Sequence, residues 1–345
     1  MPCCSYMKLI ICFLFGASGI AFAGNGIVEL DSKPGGAVVF VDGKKKGMTP
    51  ETEGQKLTME LAEGDHEITV KKEGAGEIAK KVFVGEGVIQ PLTLRLTPSG
   101  FSNSLGMKFV PVPIKGGKSD GQSVLFCVWE TRYKDFKTFV DATGYDATKD
   151  SDGKEMNIRW DRYDAKWGKI TTDHPVIYVS WEDAQAFCQW LTKKERDAGT
   201  ITANQKYRLP TDHEWSCAVG IGGDENALES LEDKNSKVSA YPWGGSWPPA
   251  RGAGNYGKSL GTDSFDYTSQ VGSFGANAYG LYDMGGNVWE WCEDKYKAGQ
   301  SWRVLRGASW GDSDRDGLSS SYRYYCRPGT RGNFRGFRCV VGSGS

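Results

Sequence analysis

Nine cysteines and three histidines carry most of the reactive chemistry this chain could perform. Cys3, Cys4 and Cys12 lie in an N-terminal segment with the features of a removable leader, which leaves Cys127, Cys188, Cys217, Cys292, Cys326 and Cys339. A thiol can serve as nucleophile, soft-metal ligand or half of a disulfide. An even number in an exported chain favours disulfides, and spacing alone leaves many pairings open. No C-x-x-C and no paired histidine is present, so a zinc site is not expected. His66, His174 and His213 lack ligand spacing: His66 reads as packing at a strand start, His174 as a turn-structuring residue in Asp173-His174-Pro175, and His213 as solvated in a first helical turn. Ser309 and Ser321 have no histidine or aspartate at a recognisable hydrolase spacing. Gly285-Gly286 opens no helix, as a phosphate-cradling loop would.

The elements that must position these residues fall into two regions within 345 residues. Residues 1–23 read as a signal peptide, with Lys8, the apolar run Leu9–Phe15 and a cleavage site at Ala21-Phe22-Ala23. That run is too short to span a bilayer, and no later stretch is long and apolar enough, so no transmembrane segment is expected after cleavage. The chain is therefore expected to be exported: periplasmic, in the cell envelope or secreted. A net charge of −1 gives no global basic field for nucleic acid.

Residues 24–97 read as a small all-β sandwich. Its short alternating runs are Gly26–Asp31, Ala37–Val41, Leu57–Leu61, His66–Lys71, Ala79–Val84 and Leu92–Leu96, punctuated by turns such as Asp42-Gly43. Ser32-x-Pro34-Gly35-Gly36-Ala37-x-Val39-x-Val41-Asp42-Gly43, Gly47-x-Thr49-Pro50 and Leu61-x-x-Gly64-x-His66-x-x-x-Val70 resemble the PEGA domain, an extracellular β module that implies a spacer or adhesion unit and no catalysis. Residues 98–104 read as a linker around Pro98-Ser99-Gly100, and residues 105–342 as a second domain. In that domain Leu105–Pro113 is an edge-like strand interrupted by prolines, and Val124–Trp129 is a second strand. Helices are expected over Lys134–Ala142, over Trp181–Lys193 after Ser180, and after Thr211, where Thr211-x-x-Glu214 forms a capping box. The rest, to Cys339, is dense in Trp, Tyr, Arg and Gly and reads as loops and short strands, a kind of segment that is usually functional or ion-stabilised.

Several ordered blocks give this second domain a resemblance to the formylglycine-generating enzyme, or sulfatase-modifying factor, family. They are Trp129-Glu130-Thr131, His174-Pro175-Val176-x-x-Val179-Ser180-Trp181-x-Asp183-Ala184, Arg208-Leu209-Pro210-Thr211-x-x-Glu214-Trp215, Tyr241-Pro242-Trp243-Gly244, Gly286-Asn287-Val288-Trp289-Glu290-Trp291, Arg306-Gly307-x-Ser309-Trp310 and Gly336-Phe337-Arg338-Cys339. The resemblance implies an α+β, C-type-lectin-like fold with little regular structure. It implies two calcium sites, one from Asn255, Tyr256, Asp263 and Phe265, the other from Asp283, Gly286, Val288 and Glu290. Hard oxygens from carboxylates, amides and backbone carbonyls suit calcium. The plainer alternative is that Asp263 and Glu290 satisfy nearby backbone donors. The resemblance also implies disulfides Cys188–Cys339 and Cys217–Cys326, leaving Cys127 and Cys292 as a third bridge or as buried thiols.

Family activity rests on a cysteine pair that binds copper(I) and exchanges with substrate thiol. The corresponding positions here are Asp316 and Ser321, and no cysteine lies between Cys292 and Cys326. Hard oxygens replace the soft ligands, so neither copper nor a catalytic residue is expected at these positions. Only three histidines are available for the iron-dependent branch, so it is not expected either. The leading expectation is a non-catalytic protein that binds a peptide, glycan or envelope component. Its cleft would be lined by Trp310, Asp316, Ser321, Arg323 and Tyr324. The alternatives are that Trp310, Arg323 and Tyr324 form a structural stack, that an oxidase persists with Cys292 or Cys127 as substitute thiol, or that the protein is purely structural.

Overall fold

A computed structural model describes residues 24–343 apart from 34, 53, 73–75, 97–99, 150–159 and 162–170. The expected leader over residues 1–23 and the expected linker residues 98 and 99 lie outside the described residues.

Alternation builds the N-terminal sandwich. Its strands are β1 (Asn25–Lys33), β2 (Val38–Val41), β3 (Lys44–Met48), β4 (Leu57–Ala62), β5 (Gly64–Lys72), β6 (Gly76–Val84) and β7 (Ile89–Arg95). One sheet has the order β4-β1-β7, with β1 antiparallel to β4 and parallel to β7, and the other has the order β3-β2-β5-β6. Val28 and Leu30 from the first sheet and Val39, Val41, Ile68 and Val70 from the second fill one core, as inward alternate positions should. β3 went unforeseen because Lys44-Lys45-Lys46-Gly47-Met48 has no apolar alternation; it is pinned by the Asp42-Gly43 turn, where both residues have positive φ (49° and 74°). His66 closes this end, with Nδ1 on the Asp42 carboxylate at 2.7 Å and Nε2 on the Ala62 carbonyl at 2.8 Å.

The second region is α+β. Its strands are β8 (Phe101–Ser102), β9 (Lys108–Pro113), β10 (Ser123–Cys127), β11 (Gln205–Arg208), β12 (Trp289–Lys295), β13 (Arg303–Arg306), β14 (Tyr324–Cys326), β15 (Arg335–Gly336) and β16 (Val340–Ser343). They form sheets of order β11-β16-β10-β9-β8 and β14-β13-β12-β15. β8 pairs only with Phe109 and Lys108, so Pro111 and Pro113 of β9 occupy its uncovered edge, where a missing N–H is tolerated.

Helices α1 (Tyr133–Thr143), α2 (Trp181–Asp197), α3 (Asp212–Val219) and α4 (Leu231–Lys234) complete the domain. α1 carries a box from Arg132 and Asp135 and ends at Gly144 in the left-handed region (φ 68°). α2 has a full capping box from Ser180 and Asp183. The Asp183 carboxylate does more than cap: it accepts from Arg331 Nε at 2.7 Å, from Arg331 Nη2 at 2.8 Å and from the Tyr145 hydroxyl at 3.0 Å. α2 then buries Phe187, Cys188 and Leu191 against Phe136, Phe139 and Phe337, whose rings pack edge-on and offset. α3 is capped by Thr211 and Glu214, and Glu214 also receives both terminal nitrogens of Arg208 at 2.6 and 2.7 Å.

Candidate functional site

α3 presents Asp212 to the interior, and that carboxylate organises the loops around it. It accepts from Arg323 Nε at 3.0 Å, Arg323 Nη2 at 2.9 Å and Lys234 Nζ at 3.2 Å, and from Arg306 Nη1. Arg323 Nη2 also donates to Glu225 at 2.7 Å. Asp212, Lys234, Arg306 and Arg323 are all essentially inaccessible to solvent. Burial alone would raise the Asp212 carboxyl, but Arg306, Arg323 and Lys234 outweigh it and hold the group well below the usual range. Arg306 also stacks over the Trp215 ring at 4.4 Å.

This network corrects the expected cleft. Arg323 is an interior tie, not a ligand-facing arginine. Ser321 is fully buried, donating to the Val238 carbonyl at 2.8 Å and accepting from the Val238 amide at 3.2 Å. Asp316 is exposed, and Trp310 is half-buried with Nε1 on the Asn333 carbonyl at 3.1 Å. Tyr324 packs on Trp289 at 5.5 Å. Ser321 and Arg323 are thus taken up inside the fold, while Trp310, Asp316 and Tyr324 keep some exposed surface. His213 also departs from expectation: it is half-buried, with Nε2 on the Lys115 carbonyl at 2.8 Å, because α3 packs beside that loop. His174 is buried against the Thr268 hydroxyl at 3.0 Å, and burial pushes its pKa down.

A second buried network surrounds β12. Glu290 accepts from Arg338 Nη2 at 2.7 Å and from Trp215 Nε1 at 3.0 Å. Glu130 accepts from Asn287 Nδ2 at 2.8 Å; burial, then repulsion from Asp283 and Glu290, pushes its pKa well up. Glu290 is thus engaged by an internal cation, and it does not fit as a calcium ligand alongside Asp283, Gly286 and Val288. The other calcium set fits better. Asn255 Oδ1 is buried with no donor, while Asp263 accepts from the Tyr256 amide at 3.0 Å and the Phe265 amide at 2.8 Å and keeps further lone pairs. Among the described residues no group of three or more His, Cys, Asp or Glu side chains is arranged to hold a metal.

All six described cysteines are free, in place of the expected bridges. Cys188 and Cys339 face each other in the core with sulfurs 3.6 Å apart. Cys217 instead lies by the Lys115 carbonyl and His213, because α3 turns it toward that loop, while Cys326 sits on β14 opposite Arg303. Cys127 and Cys292 belong to different core clusters and so form no third bridge. Burial pushes the Cys127 thiol up to about 12 and the Cys292 thiol well up, so neither is poised as a thiolate.

The opening that sequence reasoning missed is a cavity of about 480 Å³ lined by Tyr241, Trp243, Phe274, Asp283 and the glycine floor around Gly254 and Gly285. Its one legible signal was Tyr241-Pro242-Trp243-Gly244, read as a family block and not as a wall. A Cβ on Gly285 would lie 2.5 Å from both Pro242 Cγ and the Tyr256 hydroxyl, so glycine is required for this floor to close.

The family model for the sulfatase-modifying factor enzyme 1-like domain matches residues 129–342, and that for the PEGA domain matches residues 25–99. The chain is 36% identical over 182 residues to the inactive C-alpha-formylglycine-generating enzyme 2 of Bos taurus, covering 50% of this chain and 52% of that protein. It is 32% identical over 190 residues to the formylglycine-generating enzyme of Mus musculus, covering 49% of this chain and 45% of that protein. The chain thus spans about half the length of these relatives. Its fold matches the structure of PvdO from Pseudomonas aeruginosa with a TM-score of 0.50 at 21% identity, covering 70% of this chain and 97% of that one.

Proposed function

The chain belongs to the sulfatase-modifying factor enzyme 1-like family, and within it we propose a non-catalytic binding protein of the cell envelope that carries a PEGA module. The carrying observation is the state of the two thiol positions: Asp316 is exposed, and Ser321 is buried on the Val238 backbone. Copper(I) binding and thiol exchange need soft sulfur ligands, which neither residue supplies. Cys127 and Cys292 are inaccessible, so substitution by another thiol gains no support. The similarity to an inactive relative agrees with this reading.

The ligand is a peptide, glycan or envelope component, and calcium at Asn255, Asp263 and the neighbouring carbonyls of Tyr256 and Phe265 holds the loops that frame it. The PEGA module suggests binding to extracellular components. Export by a leader over 1–23 is compatible with that module and with the absence, among the described residues, of any helix long and apolar enough to cross a membrane.

A copper(I) titration of the full chain, with a cysteine-containing sulfatase peptide and oxygen, tests the proposal. The expected result is neither stoichiometric copper binding nor conversion of the peptide cysteine to formylglycine by mass. Detection of both would establish the oxidase alternative. Calcium chelation is expected to lower the melting temperature by a few degrees through lost ligand linkage. Asp263→Ala should abolish that calcium dependence.

A further inference from the structure

Both ring nitrogens of His66 face groups that can only accept. Nδ1 meets the Asp42 carboxylate at 2.7 Å, and Nε2 meets the Ala62 carbonyl at 2.8 Å. Asp42 Oδ1 also accepts from the Glu67 amide at 2.9 Å. That bond, then the one to His66, holds the Asp42 carboxyl below its ordinary value of 3.8, so it stays ionised. A neutral imidazole carries one N–H and can serve one of these acceptors. Serving both takes the imidazolium.

Strand alternation explains why the ring reaches both. Ile68 and Val70 point into the sandwich core, and His66 stands at the end of the same alternate row, with its side chain 15% exposed. Asp42 sits at the β2–β3 turn of one sheet, whereas Ala62 ends β4 of the other. The ring therefore bridges the two sheets. Its surroundings favour the charged form: the hydrogen bond to Asp42 comes first and the Ala62 carbonyl second, burial opposes them, and the charges of Asp42 and Asp65 add. The pKa of His66 rises above its ordinary value of 6.5. Lys44, on β3, acts on Asp42, and β6 sets the uncharged Val82 opposite His66.

We propose that His66 is an acid-set latch: doubly protonated it ties the two sheets together, and on losing a proton it keeps Asp42 and releases Ala62. The charged carboxylate holds the remaining N–H more strongly than the carbonyl does. Nε2 then turns a lone pair on the Ala62 oxygen, and the end of β4 loses its tie. A group whose folded pKa is raised adds stability that is complete below its unfolded value, about 6.5, and is lost as pH rises through the folded value. Asp42, with its pKa lowered, adds stability that is complete above about 3.9 and is lost as pH falls through its folded value. The latch is at full strength between those limits.

Nitrogen NMR of the full chain with isotope-labelled histidine, titrated from acid to alkaline pH, tests the latch. Single glutamine replacements assign the three histidines, so His66 is identified by elimination even where its own variant folds poorly. Both His66 nitrogens should be protonated on the acid side, the midpoint should lie above 6.5, and the neutral ring should keep its proton on Nδ1. Asp42→Asn keeps a residue that tolerates the left-handed turn and an acceptor for the Glu67 amide. It should lower the midpoint and move the neutral ring's proton to Nε2. Hydrogen exchange read by mass spectrometry follows the release: protection over Leu57–Ala62, relative to intrinsic rates, should fall severalfold as pH passes the midpoint and stay level in His66→Gln. A midpoint at or below 6.5, a neutral ring protonated on Nε2 in the native chain, or a loss of protection that persists in His66→Gln would overturn the proposal.

Discussion

The two regions of this molecule solve stability in opposite ways. The N-terminal sandwich has an aliphatic core whose buried polar residues among those described, Ser32 and Thr49, hydrogen-bond each other at 2.6 Å. Its ion pairs, such as Lys56–Glu29, are at the surface, with side chains 41% and 36% exposed. The larger domain buries whole ion pairs: Arg306 and Arg323 on Asp212, Arg338 on Glu290, and Arg331 on Asp183. A strand pattern satisfies its own backbone, so the sandwich needs only apolar alternation. Long irregular segments have no such ladder. Here guanidinium groups reach several loop carbonyls at once, as Arg323 does with Ser321 and Lys234, and Arg306 with Ser320. The interior charges do in the second domain what strand pairing does in the first.

The strongest way to break this contrast is to remove one interior partner. Arg323→Met should cost about 3–5 kcal/mol in urea denaturation, because Asp212 and Glu225 lose a buried counter-charge. Lys56→Met in the sandwich should move stability by no more than about 0.5 kcal/mol. Comparable small losses at both positions would end the distinction.

A finer probe is Asp294. Burial, then repulsion from neighbours led by Asp212, raises its carboxyl to about 6, despite a hydrogen bond from the Asp212 amide. An acid raised in the folded state binds its proton more tightly there than in the unfolded chain. Its ionisation therefore costs nothing below about pH 4, and the cost grows until the pH passes about 6. Asp294→Asn should stabilise the protein by up to about 3 kcal/mol at pH 8, with the gain vanishing near pH 4. Denaturation of both proteins across that range reads the sign directly. The smallest effect is expected at an end of regular structure: Ser180→Ala should cost about 1 kcal/mol by removing the α2 cap, measured the same way.

Local rules made the helices readable: Phe136, Phe139 and Val140 share one side of α1, and Ser180-x-x-Asp183 and Thr211-x-x-Glu214 act within four residues of chain at the starts of α2 and α3. The sandwich strands were readable because their buried positions alternate. β3 was not, because an edge strand with exposed lysines carries no apolar signal. The site was harder for a different reason. An arginine that ties the interior and one that greets a ligand look alike in sequence, and the partner that decides between them, Asp212, is 111 positions from Arg323.

One strand sets the pace at which this molecule can assemble. β16 lies between β10 and β11, pairing Val340 with both Phe126 and Arg208. The sheet has no centre until segments roughly two hundred residues apart meet, a high contact order that slows folding. During synthesis β10 and β11 must therefore wait with open edges, the state in which strands recruit the wrong partners. That interval is when the sheet is most open to mispairing, and it closes only when β16 arrives.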